Sequence, residues 1–244
     1  MELQDVRYEG SDSIALISLN RPQYRNAQSW RLLDDLDRAF DMAMADDEIK
    51  VVILRGEGGN FSSGHDLGTP EQIADREQRD VARHGIGFYD NFRQYNLDYT
   101  LKWRNLPKPT IAMVEGYCIF GGWMIASAMD IIFAAEDSLF LTALLEYFTA
   151  PWDVGPRKAK ELMFESRFIT ANEAMELGFV NRVYPREELQ EQTMLYARRV
   201  AENSRWALRQ AKLAVNKAMD VQGFTAAVEA GFADYLVVSQ LSRS

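Results

Sequence analysis

Two glycine-rich turns hold the residue types in this chain that could do chemistry. Residues 60–67 (NFSSGHDL) follow the apolar run 51–54, and residues 116–122 (GYCIFGG) follow the apolar run 110–114. The start of a helix after such a turn exposes unshared backbone N–H groups, and the helix dipole favours negative charge there. Two turns of this kind could aim two N–H groups at one carbonyl oxygen that gains negative charge during a reaction. The alternative is a pair of tight strand-to-helix turns without a chemical role.

The segments around these turns alternate between strand and helix patterns, which indicates an α/β domain. Ser29 is predicted to cap a helix whose apolar positions run from Leu32 to Met44. Thr170 is predicted to cap a short helix that Gly178 ends. Apolar runs bounded by turn residues predict the strands, and two further stretches predict a buried and a basic helix. The predicted strands are 13–19, 51–54, 110–114, 130–135, 138–141 and 180–184, and the two helices are 123–129 and 155–164.

Strand signals disappear after residue 185, where the pattern becomes helical throughout. Apolar spacing predicts three helices over residues 187–203, 206–219 and 224–237. This change divides the chain into a core, residues 1–184, and a C-terminal helical region, residues 185–244.

Aromatic residues recur at helical spacing between the two turns. From Gly87 to Tyr99 the spacing of three or four predicts a helix, and its aromatic stripe is expected to serve core or subunit packing rather than to line a pocket. The charged segment before it, residues 71–83, could form a mobile lid.

Composition excludes several classes of protein. The chain has 244 residues and a formal net charge of −9, which argues against a dedicated nucleic-acid binder. One cysteine cannot form an internal disulfide, and one cysteine with two histidines argues against a zinc site. No apolar run approaches the roughly 20 residues of a membrane span, and the first residues lack a signal-peptide pattern. The predicted location is therefore cytoplasmic.

Both turns, together with four shorter segments, resemble the signature of the crotonase family (enoyl-CoA hydratase/isomerase). These segments occur in the family's order and extend the resemblance over nearly the whole chain. Any one of them would be a weak indication, whereas several in register are a strong one. The matching segments are 19–22 (LNRP), 25–27 (RNA), 60–67 (NFSSGHDL), 108–130 (KPTIAMVEGYCIFGGWMIASAMD), 169–174 (ITANEA) and 178–183 (GFVNRV).

The resemblance implies a fold, a substrate class and two backbone donors. The implied fold is a spiral of ββα units, followed by a C-terminal helical region that builds a homotrimer or homohexamer. The implied substrate is an acyl-CoA or enoyl-CoA thioester, with coenzyme A as part of the substrate and no prosthetic group or metal. Matched position by position, the oxyanion-hole donors would be the backbone N–H groups of His65 and Gly121. Arg25, Ser63 and Leu67 would contact the coenzyme A portion.

The chain departs from this family at the two glutamates that hydratases place around a water. Met124 occupies the position three residues after the oxyanion glycine, and Leu144 occupies the other position. Neither side chain can transfer a proton, so hydration by the two-glutamate mechanism is in doubt. The segment between Phe140 and Gly155 is also several residues shorter than is usual in the family.

Four titratable residues near the turns are candidates to replace these glutamates. An imidazole exchanges its proton near neutral pH, so His65 could be catalytic, or its ring could simply pack within the turn. Asp66 is expected to cap the following helix instead. Glu146 and Asp153 lie among apolar and aromatic residues, so each could be a carboxylate in an apolar pocket or a solvated surface group.

The predicted function is an acyl-CoA-processing enzyme of the enoyl-CoA hydratase/isomerase type, which stabilises a thioester enolate. Met124 and Leu144 leave few acids for adding water, and this favours an alternative enolate reaction such as double-bond isomerisation or C–C hydrolysis. A third hypothesis is a catalytically silent acyl-CoA-binding protein that keeps the hole without proton-transfer groups.

Overall fold

Strands and helices alternate along most of this computed structural model, which describes residues 3–79 and 84–241. The strands assigned in these ranges are β1 (Val6–Ser11), β2 (Ile14–Leu19), β3 (Val51–Gly56), β4 (Thr110–Val114), β5 (Tyr117–Ile119), β6 (Ile131–Ala135), β7 (Leu139–Leu141), β8 (Ile169–Thr170) and β9 (Arg182–Tyr184). The α-helices are α1 (Trp30–Ala45), α2 (Pro70–Gln78), α3 (Gly85–Arg93), α4 (Tyr99–Arg104), α5 (Gly121–Ser127), α6 (Ala150–Asp153), α7 (Pro156–Glu165), α8 (Ala171–Glu176), α9 (Arg186–Ala201), α10 (Arg205–Val221) and α11 (Phe224–Leu241). A π-helical turn, Gln94–Asp98, joins α3 to α4, and a 3₁₀ turn covers Pro22–Tyr24.

The strands form two sheets. The larger sheet has the order β1-β2-β3-β4-β6-β9, with β1 antiparallel to β2 and the other neighbours parallel. The smaller sheet has the order β5-β7-β8. Because β4 belongs to one sheet and β5 to the other, the chain changes sheets at the start of the second glycine-rich turn, residues 116–122. The strands β3 and β4 are parallel neighbours, so their C-terminal ends lie at the same edge of the sheet. The two glycine-rich turns follow these two ends.

A large apolar core lies on one face of the six-stranded sheet. It joins that sheet to the small sheet and to α1, α4, α5 and α11, and it includes the large buried side chains Phe40, Trp103, Trp123, Phe140 and Phe232. A second, smaller core covers the other face, where Leu189 and Ala197 of α9 pack on alternate residues of the strands. The helix α9, which follows residue 184, thus packs directly on the sheet of the core. The division of the chain at residue 184 stays a prediction.

Most predicted elements are present, and local capping explains two helix starts. The Ser29 side chain accepts a hydrogen bond from the Leu32 N–H at 3.1 Å, and Thr170 accepts from the Glu173 N–H at 3.2 Å, as the sequence predicts. The prediction for Asp66 is wrong, because α2 begins at Pro70 and its cap is Thr69.

Some elements escaped sequence prediction. The strands β1, β5 and β8 were not predicted, and two of these are only two or three residues long. The helix predicted from Gly87 to Tyr99 is present as α3, the π-helical turn and the start of α4. Of the predicted mobile lid, residues 71–78 are helical in α2, and residues 80–83 lie outside the described part of the chain.

Candidate active site

The first glycine-rich turn is held in place by the segment that precedes α1. The Asn26 side-chain N–H₂ donates to the carbonyl oxygens of Glu57 at 2.9 Å and Asn60 at 2.7 Å. The backbone of Gln28 pairs with the chain on both sides of His65. Its backbone N–H donates to the Gly64 carbonyl oxygen, and its carbonyl oxygen accepts from the Asp66 N–H. Successive N–H groups of an extended chain alternate in direction, so the His65 N–H points away from Gln28.

A strained residue lies near the end of the second turn, directly before α5. Phe120 has φ 50° and ψ −113°, a left-handed conformation that a residue with a Cβ rarely adopts. It turns the chain sharply out of β5, so that α5 begins at Gly121 with its N–H outside the helical hydrogen-bond ladder. Backbone strain of this kind costs on the order of 1–3 kcal/mol and is concentrated at functional sites.

The two turns are in direct contact. Ser62 forms a β-bridge with Cys118, through N–H bonds from Ser62 to Tyr117 and from Ile119 to Ser62. Gly64 adopts φ 92°, and a Cβ there would lie only 3.3 Å from the Gly121 nitrogen. Within the described residues, the N–H groups of His65 and Gly121 donate no hydrogen bond. The turns therefore bring two unpaired backbone donors into one neighbourhood.

The His65 side chain reaches two polar groups. Its Nε2 lies 2.8 Å from Oδ1 of Asn96 and 3.8 Å from Oε1 of Glu146. The other side of the ring faces Gly121, where an added Cβ would lie 2.6 Å from Nδ1. The His65 side chain is 24 % exposed, and that of Glu146 is 4 % exposed. An imidazole and a buried carboxylate thus lie together beside the meeting point of the turns.

Asp153 lies at the other end of α5. Its Oδ2 accepts hydrogen bonds from Trp123 Nε1 at 2.9 Å, Ser127 Oγ at 2.9 Å and Thr149 Oγ1 at 2.6 Å. Burial raises the pKa of Asp153 to about 6, against the lowering effect of these hydrogen bonds. The residue lines a separate cavity of about 520 Å³ between the end of α5 and α10. Its contacts join α5 to α6, and its predicted catalytic role stays a prediction.

Asp66 is fully engaged within its turn. Its carboxylate accepts hydrogen bonds from Thr69, from the Gly68 N–H and from the buried guanidinium of Arg21 at 2.9 Å. Burial alone raises the pKa of Asp66, but the bonds from Thr69, Gly68 and Arg21 outweigh it and lower the pKa. This carboxylate stabilises the turn that carries His65.

The three residues expected to contact coenzyme A lie along the first turn and its support. The Ser63 N–H donates to the Arg25 carbonyl oxygen at 2.9 Å, so these two residues are neighbours. The guanidinium of Arg25 is exposed and lies over the Tyr117 ring, 5.5 Å from its centroid. Leu67 is 98 % exposed, which is unusual for a leucine beside a candidate site.

Sequence reasoning missed two polar residues of this site, Gln28 and Asn96. Gln28 Nε2 donates to Ser62 Oγ at 3.2 Å, and its Oε1 lies against Gly121. Asn96 is 31 positions from His65, in the stripe predicted to be aromatic packing. Asn96 could have been found as a polar residue within the aromatic stripe of the predicted helix. Gln28 could have been found because it directly follows the motif at residues 25–27.

Neither metal sites nor membrane-spanning helices are evident in residues 3–79 and 84–241. These residues contain no cluster of three or more His, Cys, Asp or Glu side chains suited to a metal ion. No helix among them combines the length and the apolar character needed to cross a bilayer.

The parallel sheet, the small second sheet and the paired glycine-rich turns define the crotonase fold. The family model described as "Enoyl-CoA hydratase/isomerase" matches residues 9–234. The chain therefore belongs to the enoyl-CoA hydratase/isomerase family, as its motifs predict.

Relatives from mycobacteria agree with this assignment. EchA13 of Mycobacterium tuberculosis, whose name describes it as a candidate enoyl-CoA hydratase, is 41 % identical over 95 % of this chain and 79 % of its own length. A solved structure of a probable enoyl-CoA hydratase from Mycobacterium smegmatis is 45 % identical, with a TM-score of 0.85 over 94 % of this chain and 91 % of that one. One from Mycobacterium thermoresistibile is 43 % identical, with a TM-score of 0.85 over 94 % of each chain.

Proposed function

We propose that the chain is an acyl-CoA-processing enzyme that stabilises a thioester enolate between the backbone N–H groups of His65 and Gly121. The single observation that carries this proposal is the contact between the two turns, at which neither N–H group donates to any residue that the structure describes. Two donors fixed in place stabilise an oxygen that becomes negative in the transition state, and losing one such donor typically costs about 10²–10³ in rate. Polarising the thioester carbonyl in this way makes the neighbouring α-carbon able to gain or lose a proton.

Glu146 and His65 are the proposed proton-transfer groups. Glu146 is buried yet receives no hydrogen bond from any described residue, and its Oε1 lies 3.8 Å from Nε2 of the His65 ring. The Met124 side chain is buried in α5 and has no proton to exchange. The site thus offers one carboxylate and one imidazole where the family's hydratases offer two carboxylates.

This donor set also supports a second candidate reaction, double-bond isomerisation. Hydration needs one group to take a proton from water as its oxygen adds to the β-carbon, and a proton must be delivered to the α-carbon. Moving a double bond needs only removal of a proton from one carbon and its return to another, which one carboxylate can do. The observation favouring isomerisation is the buried Glu146 carboxylate, 3.8 Å from the His65 ring. C–C hydrolysis of a diketone stays a further alternative.

Arg25, Ser63 and Leu67 are proposed to hold the coenzyme A portion of the substrate. An exposed guanidinium suits a phosphate, and an exposed leucine offers apolar surface to the pantetheine or adenine. Coenzyme A then acts as part of the substrate, and the chemistry requires no prosthetic group. Assembly as a homotrimer or homohexamer and a cytoplasmic location stay predictions.

Absorbance measurements separate the two reactions. Loss of the conjugated enoyl absorbance on mixing with crotonyl-CoA would identify hydration. A gain of that absorbance from a 3-enoyl-CoA would identify isomerisation. Glu146→Gln should remove either activity, because an amide cannot exchange the proton.

Thermal unfolding tests the hypothesis of a silent binding protein. CoA esters that raise the melting temperature without any turnover would support a binding protein that lacks catalysis. The whole proposal would be falsified by CoA esters that are neither turned over nor bound.

A further inference from the structure

The His65 ring lies beside a side-chain amide whose orientation is set by a second hydrogen bond. The Nε2 atom lies 2.8 Å from Asn96 Oδ1, while the Asn96 Nδ2 donates to the Phe92 carbonyl oxygen at 2.7 Å. A backbone carbonyl can only accept, so the Asn96 nitrogen must be the end that faces Phe92. The oxygen therefore faces His65, and Nε2 must be the nitrogen that donates.

The consequence concerns the other ring nitrogen. When a neutral imidazole carries its hydrogen on Nε2, Nδ1 is left with a free lone pair. Nδ1 is the nitrogen next to Gly121, at the meeting point of the two turns. If Asn96 keeps the hydrogen on Nε2, then Nδ1 of His65 faces the proposed thioester site as a proton acceptor.

The backbone around Asn96 is built to bury this amide. The π-helical turn Gln94–Asp98 is closed by the Tyr99 N–H bonding to the Gln94 oxygen. It buries three successive residues, Tyr95, Asn96 and Leu97, and stacks the Tyr95 ring on Trp30. Single π-helical turns inside helices occur frequently at functional sites. A buried amide is costly unless both ends are hydrogen-bonded, and here both ends are.

We propose that Asn96 is a positioning residue that holds His65 in the Nε2–H tautomer and so presents Nδ1 as the proton acceptor beside Gly121. Its catalytic consequence rests on the proposed function, whereas the tautomer itself does not. Glu146 is the competing explanation, because its Oε1 lies 3.8 Å from the same Nε2 and could hold that proton instead.

Nitrogen-15 NMR of the histidine side chains in the substrate-free protein tests the tautomer directly. The chain has two histidines, and the exposed His84 makes no side-chain cap hydrogen bond, so it serves as the internal reference. At a pH where both rings are neutral, His65 should be mainly the Nε2–H form. Glu146→Gln and Asn96→Asp should keep that form, since each leaves an acceptor at position 96.

Asn96→Ala should weaken the preference for the Nε2–H tautomer about five-fold, the equivalent of one net hydrogen bond of about 1 kcal/mol. An Nδ1–H tautomer in the unmodified protein would overturn the proposal even if Asn96→Ala fails to fold. An unchanged tautomer in folded Asn96→Ala would also overturn it. Absence of turnover on any CoA ester would count against the proposed function alone, because the NMR result needs no substrate.

Discussion

Two carboxylates at opposite ends of α5 are held in contrasting ways. Asp153, at the C-terminal end, accepts three hydrogen bonds on one oxygen. Glu146, beside the N-terminal end, is also buried, yet it accepts none from the described residues and has the His65 ring at 3.8 Å. Burial alone therefore does not show which of the two carboxylates takes part in the proposed proton transfer. The distinction lies in whether the protein's own donors already satisfy the oxygen atoms.

The largest expected effect comes from removing the Glu146 carboxylate, which accepts no hydrogen bond from the described residues. Glu146→Gln should lower kcat by about 10²–10⁴, because general acid–base catalysis contributes that much. Asp153→Asn is the matched control, and it should change kcat less than tenfold because the amide oxygen can keep accepting from Trp123, Ser127 and Thr149. Steady-state kinetics on the active CoA ester measures both. Equal losses of kcat in the two variants would contradict the proposed difference between Glu146 and Asp153.

Gly121→Ala keeps the backbone N–H, but its Cβ should displace the groups around that N–H and lower kcat by about 10²–10³, as much as the loss of one oxyanion donor. Its new Cβ would meet the ends of the Gln28 and His65 side chains, which can move at the expense of the site's geometry. The melting temperature should fall little.

Gly122→Ala is the control for that prediction. Its Cβ would lie 2.7 Å from the Ser62 carbonyl oxygen, which is backbone and cannot easily move. We expect it to destabilise the fold by about 1–3 kcal/mol, measured by denaturant unfolding. A Gly121→Ala variant that is fully active would contradict the two-amide site.

The C-terminal end of α5 should show a pH-dependent stability. Because burial raises the folded-state pKa of Asp153 from the ordinary 3.8 to about 6, the folded protein holds this proton more tightly than the unfolded chain does. The stability it contributes is present below pH 4 and is lost as the pH rises to about 6, amounting to roughly 1–3 kcal/mol.

Urea unfolding between pH 4 and 8 measures this dependence. Asp153→Asn should be less dependent on pH than the parent across that window, and more stable than the parent above pH 6. A variant with the parent's pH dependence would show that other groups titrate there.

The smallest expected effect concerns the coenzyme A contacts. Arg25→Ala should raise KM by about tenfold and leave kcat nearly unchanged, because a phosphate contact of about 1.4 kcal/mol would act equally in the ground and transition states. Arg7→Ala removes another exposed arginine, in β1, and serves as a charge control. A fall in kcat with constant KM would assign Arg25 a different role.

Local patterns predicted much of the fold correctly. The Ser29 and Thr170 caps depend on atoms three residues apart, so the sequence carries the whole interaction. The same reasoning was wrong for Asp66, because Arg21, 45 positions earlier, draws its carboxylate into the turn while Thr69 caps the helix. The short strands β5 and β8 were missed because two or three residues carry no periodicity of their own.

The sequence by itself determined the two glycine-rich turns, the alternation of strands and helices, and the motifs that assign the family. Only the tertiary structure decided which side chains surround the turns. Asn96 meets His65 across 31 positions. Asp153 accepts from two side chains of α5 and from Thr149, the residue before α6. Turns and caps arise from bonds between near neighbours, whereas a reactive site depends on contacts that form only when distant segments pack together.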